Sequence, residues 1–359
     1  MKIFFLNLFL ILHFLFLFFC SPKLKKDSDT ANLLILMQLL KMNSANEEAN
    51  SSNSLPDTGQ TLCYNATVQQ TCPVSGFPNQ DAELDSGIQL SQTDSSQTVT
   101  DSKTKLVHTK CALGLSGSNC TTGSATTYNW INASTACTNH SLASKTWRLP
   151  SIKEINYITN FGKDSPALDT AFFTNANYVN FWSSDSTDAT NAWYSEIQSG
   201  YLNPNQAKGT LFTAICVSGS SITPSTYTDN SDQTISDNMY KLDWTKCSAG
   251  LSGSNCSTGS ATNHTWAQSL QYCDNLTLAG KSDWRLPNIR ELYSLVVISN
   301  TPKINSSFFP NTPTVIRHFS STTVTATPAN AWGIDFSDGI QDNNVGKTTV
   351  GVTKCVRQR

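Results

Sequence analysis

Apolar positions at near-helical spacing occur twice behind the same kind of corner: Ile152, Ile155 and Ile158 in one stretch, Ile289, Leu292 and Leu295 in another. The corners are Trp147-Arg148-Leu149-Pro150 and Trp284-Arg285-Leu286-Pro287. In each, the next residue, Ser151 or Asn288, stands three positions before Glu154 or Glu291, which is a capping box and predicts that a helix starts there. The prolines hold the preceding segment extended. An earlier helix holding one half-cystine is predicted over 130–139 and again over 266–275. Thr98 to Thr100 alternates around a β-branched residue and leads into Leu106 to Cys111, a predicted hairpin. Past the second helix the pattern is aromatic, hydroxyl-rich and punctuated by Gly, Pro and Asn, which predicts short strands and long loops. Strands, then helices, then strands is an α+β order with a mostly antiparallel sheet.

Comparing the chain with itself extends this pattern into a repeat. Cys111, Cys120 and Cys137 meet Cys247, Cys256 and Cys273 at a constant offset of 136 residues, and the stretch from Gly114 to Cys120 recurs letter for letter from Gly250 to Cys256. Phe172-Phe173 faces Phe308-Phe309, Ser183-Ser184 faces Ser320-Ser321, Ala192-Trp193 faces Ala331-Trp332, Gly200 faces Gly339, and Cys216-Val217 faces Cys355-Val356. Two tandem domains are expected, over 89–220 and 225–359, because so long a period means duplicated globular units and not a solenoid.

The opening hydropathy differs. Lys2 precedes an almost unbroken apolar run from Ile3 to Phe19, which reads as an export signal over 1–20. It ends at Cys20, where a lipoprotein signal places the acylated cysteine, although Phe19 occupies a position that ordinarily holds a small residue. An uncleaved anchor and simple secretion are the alternatives, and Lys23, Lys25 and Lys26 disfavour the former. Residues 21–56 are expected to be a tether with a short helix over 33–40, and 57–88 a small segment closed by Cys63 and Cys72. Closing that loop is worth roughly 2–3 kcal/mol.

With Cys20 set apart, the eleven cysteines leave ten, an even number that in an exported chain reads as disulfides. Zinc would want a Cys-x-x-Cys spacing that is absent. Four cysteines per copy allow three pairings. The flexible Gly-Leu-Ser-Gly-Ser loop favours local closure, Cys111 with Cys120 and Cys247 with Cys256. Cys137 then pairs with Cys216, and Cys273 with Cys355.

The entry Lys241-Leu242-Asp243-Trp244-Thr245-Lys246-Cys247, the two Trp-Arg-Leu-Pro corners, the Ser-Ser and Ala-Trp pairs and the closing Cys355-Val356-Arg357 together resemble the Lcl C-terminal domain family. That bacterial family of unknown function takes its name from the terminal domain of a collagen-like adhesin. The likeness covers both repeats. It implies a C-type-lectin-like fold, similar to that of the formylglycine-generating enzymes, in proteins that are mostly exported. The namesake binds sulfated polysaccharide, which calls for a basic surface. This chain has a net charge of −2 with 14% charged residues.

The same composition offers no basic patch for nucleic acid. Arg148 with Glu154, and Arg285 with Glu291, are expected to brace the corners, a binding or catalytic pair being the alternative. Trp193 and Trp332 are candidates either for the core or for a sugar-stacking platform, with Ser183-Ser184-Asp185 and Ser320-Ser321 as candidate hydrogen-bonding partners of a glycan. Asp335, Asp338, Asp342 and Asn343 are the nearest approach to a calcium site, but repeat 1 offers only Glu196, Asn203 and Asn205, so no metal or other cofactor is expected. None of His108, His140, His264 and His318 recurs at its counterpart, and no nucleophile motif appears. The expected function is a non-enzymatic, lipid-anchored protein of the outer membrane or cell surface that binds a glycan or matrix protein. An envelope interaction protein is the alternative, and an enzyme with an unrecognised site is a third.

Overall fold

A computed structural model describes residues 55–87, 90–93, 97–175 and 180–359. The export signal, Cys20 and the tether up to residue 54 lie outside the described residues. An N-terminal segment carries β1 (Cys63–Tyr64), β2 (Gln69–Gln70) and a 3-10 turn, Asp81–Leu84. Repeat 1 runs through β3 (Leu90–Thr93), β4 (Thr98–Asp101), β5 (Val107–Thr109), β6 (Leu115–Ser116), β7 (Thr122–Gly123), α1 (Trp130–Thr138), α2 (Ile152–Ile158), β8 (Asn180–Ser186), β9 (Asn191–Glu196), β10 (Tyr201–Ala207) and β11 (Val217–Ser218). Repeat 2 follows the same order with two strands added, β17 and β21: β12 (Tyr227–Asp229), β13 (Thr234–Asp237), β14 (Leu242–Thr245), β15 (Leu251–Ser252), β16 (Thr258–Gly259), β17 (Asn263–His264), α3 (Trp266–Asp274), α4 (Ile289–Ser294), β18 (His318–Thr323), β19 (Asn330–Ile334), β20 (Gln341–Gly346), β21 (Gly351–Val352) and β22 (Val356–Gln358). The architecture is α+β: two sheet-rich copies, each with two short helices.

The helices begin where the sequence predicts. Ser151 Oγ accepts from the Glu154 N–H at 3.3 Å while Glu154 Oε2 accepts from the Ser151 N–H at 2.8 Å, and Asn288 and Glu291 repeat the exchange at 2.9 Å both ways. The expected disulfide pairs are all formed: Cys63–Cys72, Cys111–Cys120, Cys137–Cys216, Cys247–Cys256 and Cys273–Cys355. Each long bridge ties α1 or α3 to the chain just before the last strand of its repeat. At the same place the corner pairs in both directions, Arg148 with Val217 and Arg285 with Val356.

The copies are not separate. All the described residues fall within one compact unit, and an eight-stranded sheet, β17-β21-β18-β19-β20-β10-β9-β8, runs through both repeats. Its two halves meet antiparallel where Leu202 of β10 faces its own counterpart, Gln341 of β20. Each repeat adds a four-stranded sheet of equivalent order, β11-β5-β4-β3 and β12-β13-β14-β22. The shared core draws Ile155, Ile158, Trp193 and Leu202 from one copy and Leu292, Leu295, Trp332 and Phe336 from the other.

This junction behaves as a local two-fold axis. Gly200, at φ +81°, abuts the edge of Trp332, and Gly339, at φ +83°, that of Trp193: a Cβ would stand 3.7 and 3.2 Å from the facing Cη2. Lys153 donates to the Ser294 carbonyl that ends α4, at 3.1 Å. Its counterpart Arg290 reaches the other way, to the carbonyls of Asn156 at 3.2 Å and of Thr159 at the end of α2. Cations at opposing helix C-termini are favourably placed against the helix dipoles.

Candidate functional site

The paired residues of the two corners are consumed by the fold. Arg148 forks onto Glu154 with two bonds of 2.6 Å, and Arg285 onto Glu291 likewise. Burial pushes the Glu154 carboxyl up, but the Arg148 guanidinium and the Ser151 N–H more than offset it and hold the group below its ordinary range. A carboxylate with a bidentate arginine and a backbone donor has its acceptor sites filled, and it acts as a brace.

Trp193 and Trp332 are 0% and 2% exposed. They are core residues of the junction between repeats, and not a platform for sugar, because each closes on the glycine of the opposite copy. The serines are corrected in the same way. Ser183 and Ser320 are buried and donate to the Trp193 and Trp332 carbonyls at 3.0 and 2.8 Å, bracing the irregular pairing of β8 with β9 and of β18 with β19. Ser321 is buried, and only Ser184 is exposed. In the last loop of repeat 2, Arg317 binds both Asp335 and Asp342, the latter at 2.9 Å. That cluster is an ion-pair network, and among the described residues no group of His, Cys, Asp or Glu could hold a metal ion.

The geometry instead brings forward a pair that the sequence comparison passed over. Trp130 and Trp266 open α1 and α3. Their indole N–H groups donate to the Ser183 and Ser320 carbonyls at 2.8 Å. Over them lie Lys208 and Lys347, with Nζ at 4.5 and 4.0 Å from the ring centroids, a cation–π arrangement in both copies. The signal was present, since Trp130 and Trp266 recur at the offset of Cys137 and Cys273, and Lys208 and Lys347 at that of Cys216 and Cys355. It was hidden by having no motif around it.

In repeat 2 this face is covered by the N-terminal segment. Phe77 packs on Trp266 at 5.8 Å between centroids. Lys347 donates to the Asn65 carbonyl at 3.0 Å and lies 5.3 Å from the Tyr64 ring. Gln60 pairs with the main chain of Thr323 as a strand would, donating to its carbonyl at 2.7 Å and accepting its N–H at 2.9 Å. Asp81 Oδ2 accepts from the hydroxyls of Thr58 at 2.8 Å and Thr322 at 2.6 Å. Trp266, Lys347, Ser321, Thr322 and Thr323 are all buried beneath it. Burial pushes Asp81 up to about 7 and Lys347 down to about 7. The segment closed by Cys63–Cys72 is thus docked on repeat 2.

In repeat 1 the same face is open among the described residues. Trp130 and Lys208 are half-buried, and Ser184, Ser186 and Ile131 are exposed. Lys208 donates to the Asp188 carbonyl at 2.7 Å. Asp185 stands where repeat 2 has Thr322, and like it accepts from the first N–H of the capped helix, Ile152 at 2.7 Å against Ile289 at 2.9 Å. Burial raises the Asp185 carboxyl, against the Ile152 N–H, which lowers it.

Compared with protein families, the chain matches the model described as the Lcl C-terminal domain twice, over residues 97–218 and 233–357. No curated protein matches it significantly.

Proposed function

The chain belongs to the Lcl C-terminal domain family, and from that premise we propose that it is an exported, non-catalytic binding protein with an adhesin-like role. In this reading Cys20 carries the lipid that holds it at the outer membrane or cell surface, the two copies have a lectin-like fold, and the ligand is a carbohydrate or an extracellular-matrix protein. The observation that carries the reading is the set of five disulfides closing a weakly charged, two-copy unit. Such cross-links persist in oxidising compartments and suit a rigid display surface. The corner pairs support a role without catalysis, since their carboxylates and guanidiniums are spent on one another. An envelope interaction protein is favoured over a glycan binder by one feature, the polypeptide already bound on the Trp266 face.

Two measurements test the proposal. Palmitate incorporation should be lost in Cys20→Ala, and labelling of an intact chain without Cys20 would remove the anchor from the reading. On an array of glycans and matrix proteins the full chain should give saturable binding to at least one component, and a silent array would sink the adhesin-like role.

A further inference from the structure

Two equivalent faces, one covered and one open, define what the open one is built to hold. Both carry a lysine over a tryptophan, an indole N–H fixed to the strand β8 or β18, and a capped helix whose first N–H is held by the residue two past the buried serine. On repeat 2 the occupant is polypeptide. It lays Phe77 on the tryptophan, supplies a carbonyl to Lys347, and sets a carboxylate, Asp81, against the Thr322 hydroxyl. On repeat 1 the hydroxyl is replaced by the Asp185 carboxylate, already an acceptor for Ile152. A second carboxylate brought to that point would meet like charge in a half-buried site, which is strongly disfavoured. The chain's own N-terminal segment is therefore directed to repeat 2 and refused by repeat 1.

We propose that the face of repeat 1 formed by Trp130, Lys208, Ser184 and Asp185 is a docking site for a partner polypeptide. The partner presents a turn with an aromatic ring for Trp130 and, in place of Asp81, a lysine, arginine or amide donor for Asp185. The inference rests on the binding role proposed above and narrows it to a protein ligand and one face. Charge complementarity selects the donor, and the covered face of repeat 2 supplies the pattern.

The test uses the full chain and a synthetic peptide of residues 57–86 oxidised at Cys63–Cys72, either unchanged or with Asp81→Lys, titrated by calorimetry. The Asp81→Lys peptide should bind, and the unchanged peptide should bind about tenfold or more weakly, as expected for a charge pair exchanged for a like-charge clash. The preference should reverse on Asp185→Thr, a substitution that keeps a helix-capping acceptor because Thr322 already serves there. Trp130→Ala should abolish binding of the Asp81→Lys peptide while the circular dichroism spectrum stays that of the folded chain, with a lower melting temperature because the bond to the Ser183 carbonyl is lost. Binding of neither peptide, or binding indifferent to both substitutions, overturns the proposal. So does a glycan that binds at this face and loses affinity in Trp130→Ala while the peptides do not bind. An array partner whose affinity ignores both substitutions sinks this site and leaves the binding role standing. A silent array with peptide binding intact does the reverse.

Discussion

Repeat 2 keeps its tryptophan–lysine pair under Tyr64 and Phe77, whereas repeat 1 leaves the equivalent pair half open, and the two copies are otherwise built on the same sheet order, corners and cross-links. The difference traces to a few positions. Asp185 stands for Thr322, so one copy offers a carboxylate where the other offers a hydroxyl, and in the second copy Gln60 takes up the main chain of Thr323. The guanidinium of the covered copy is also the drier one, the Arg285 side chain being 13% exposed and that of Arg148 30%, while their carboxylate partners stand at 7% for Glu291 and 0% for Glu154. A repeated scaffold thus carries two local environments, and the depth of burial decides what each polar group is worth.

The comparison can be broken most forcefully at the corners. Arg285→Met leaves Glu291 buried without its cation and should cost roughly 3–5 kcal/mol, the range for breaking a buried pair. Arg148→Met should cost less, since the guanidinium it removes is the more exposed one and water can enter there to solvate Glu154. Urea unfolding of the two variants checks the order, and equal losses would deny the difference in burial. Next comes the strand-like pairing on the covered face. Gln60→Ala strands the Thr323 N–H and carbonyl in a buried place, at about 1–3 kcal/mol for an unsatisfied group. A red shift of tryptophan emission as Trp266 is uncovered should accompany it, with no such shift for Ser186→Ala. At the two-fold junction, Gly200→Ala and Gly339→Ala each force a side chain into the left-handed region and should cost about 1 kcal/mol or more. Gly200→Ala should be the worse, because its Cβ would stand 2.9 Å from the Thr159 methyl, against 3.2 Å from Trp193 for Gly339→Ala.

The histidines add a dependence on pH. His318 occupies the position of Phe181, is buried without a hydrogen-bond partner, and is pushed down by burial from its ordinary 6.5 to about 3. His108, in the place of Trp244, is likewise held at about 4 by burial. Below pH 6.5 the unfolded chain binds protons that these folded sites refuse, so their stability is complete above 6.5 and drains away as the pH falls toward those values. Asp81 acts with the opposite sign, since its raised carboxyl favours the folded chain as the pH drops below about 7. His318→Phe should therefore make the loss of melting temperature between pH 7 and pH 4 shallower than in the unaltered chain. An unchanged slope would show that His318 does not contribute.

Much of each copy was legible because it rests on local chemistry. The capping boxes are written in four consecutive letters, the short disulfides close over nine residues, and the long ones follow once the short ones are taken. The junction was illegible for a reason of symmetry. Trp193, Trp332, Gly200 and Gly339 look like one conserved feature per domain, and nothing in either copy says that the tryptophan of one belongs with the glycine of the other. A sugar platform and a core contact ask for the same residue types, and only burial separates them. Docking of the N-terminal segment was hidden by distance, since Gln60 and Asp81 meet Thr323 and Thr322 more than 240 positions away. Asp185 reads in sequence as one more polar partner for a glycan beside Ser183 and Ser184, and its role as the acceptor for the Ile152 N–H is hidden because the helix start lies 33 positions away.

At the axis itself, Leu202 meets Gln341, and Lys153 is answered by Arg290. Between two identical molecules such pairings could not arise, because any replacement on one side would be imposed on the other and every contact at the dyad would have to suit itself. A covalent tandem lifts that restriction. Gln341 can hold the Gly200 carbonyl and the Asn156 amide at once with no duplicate glutamine competing for the space, and a partnership held in one polypeptide cannot be undone by dilution.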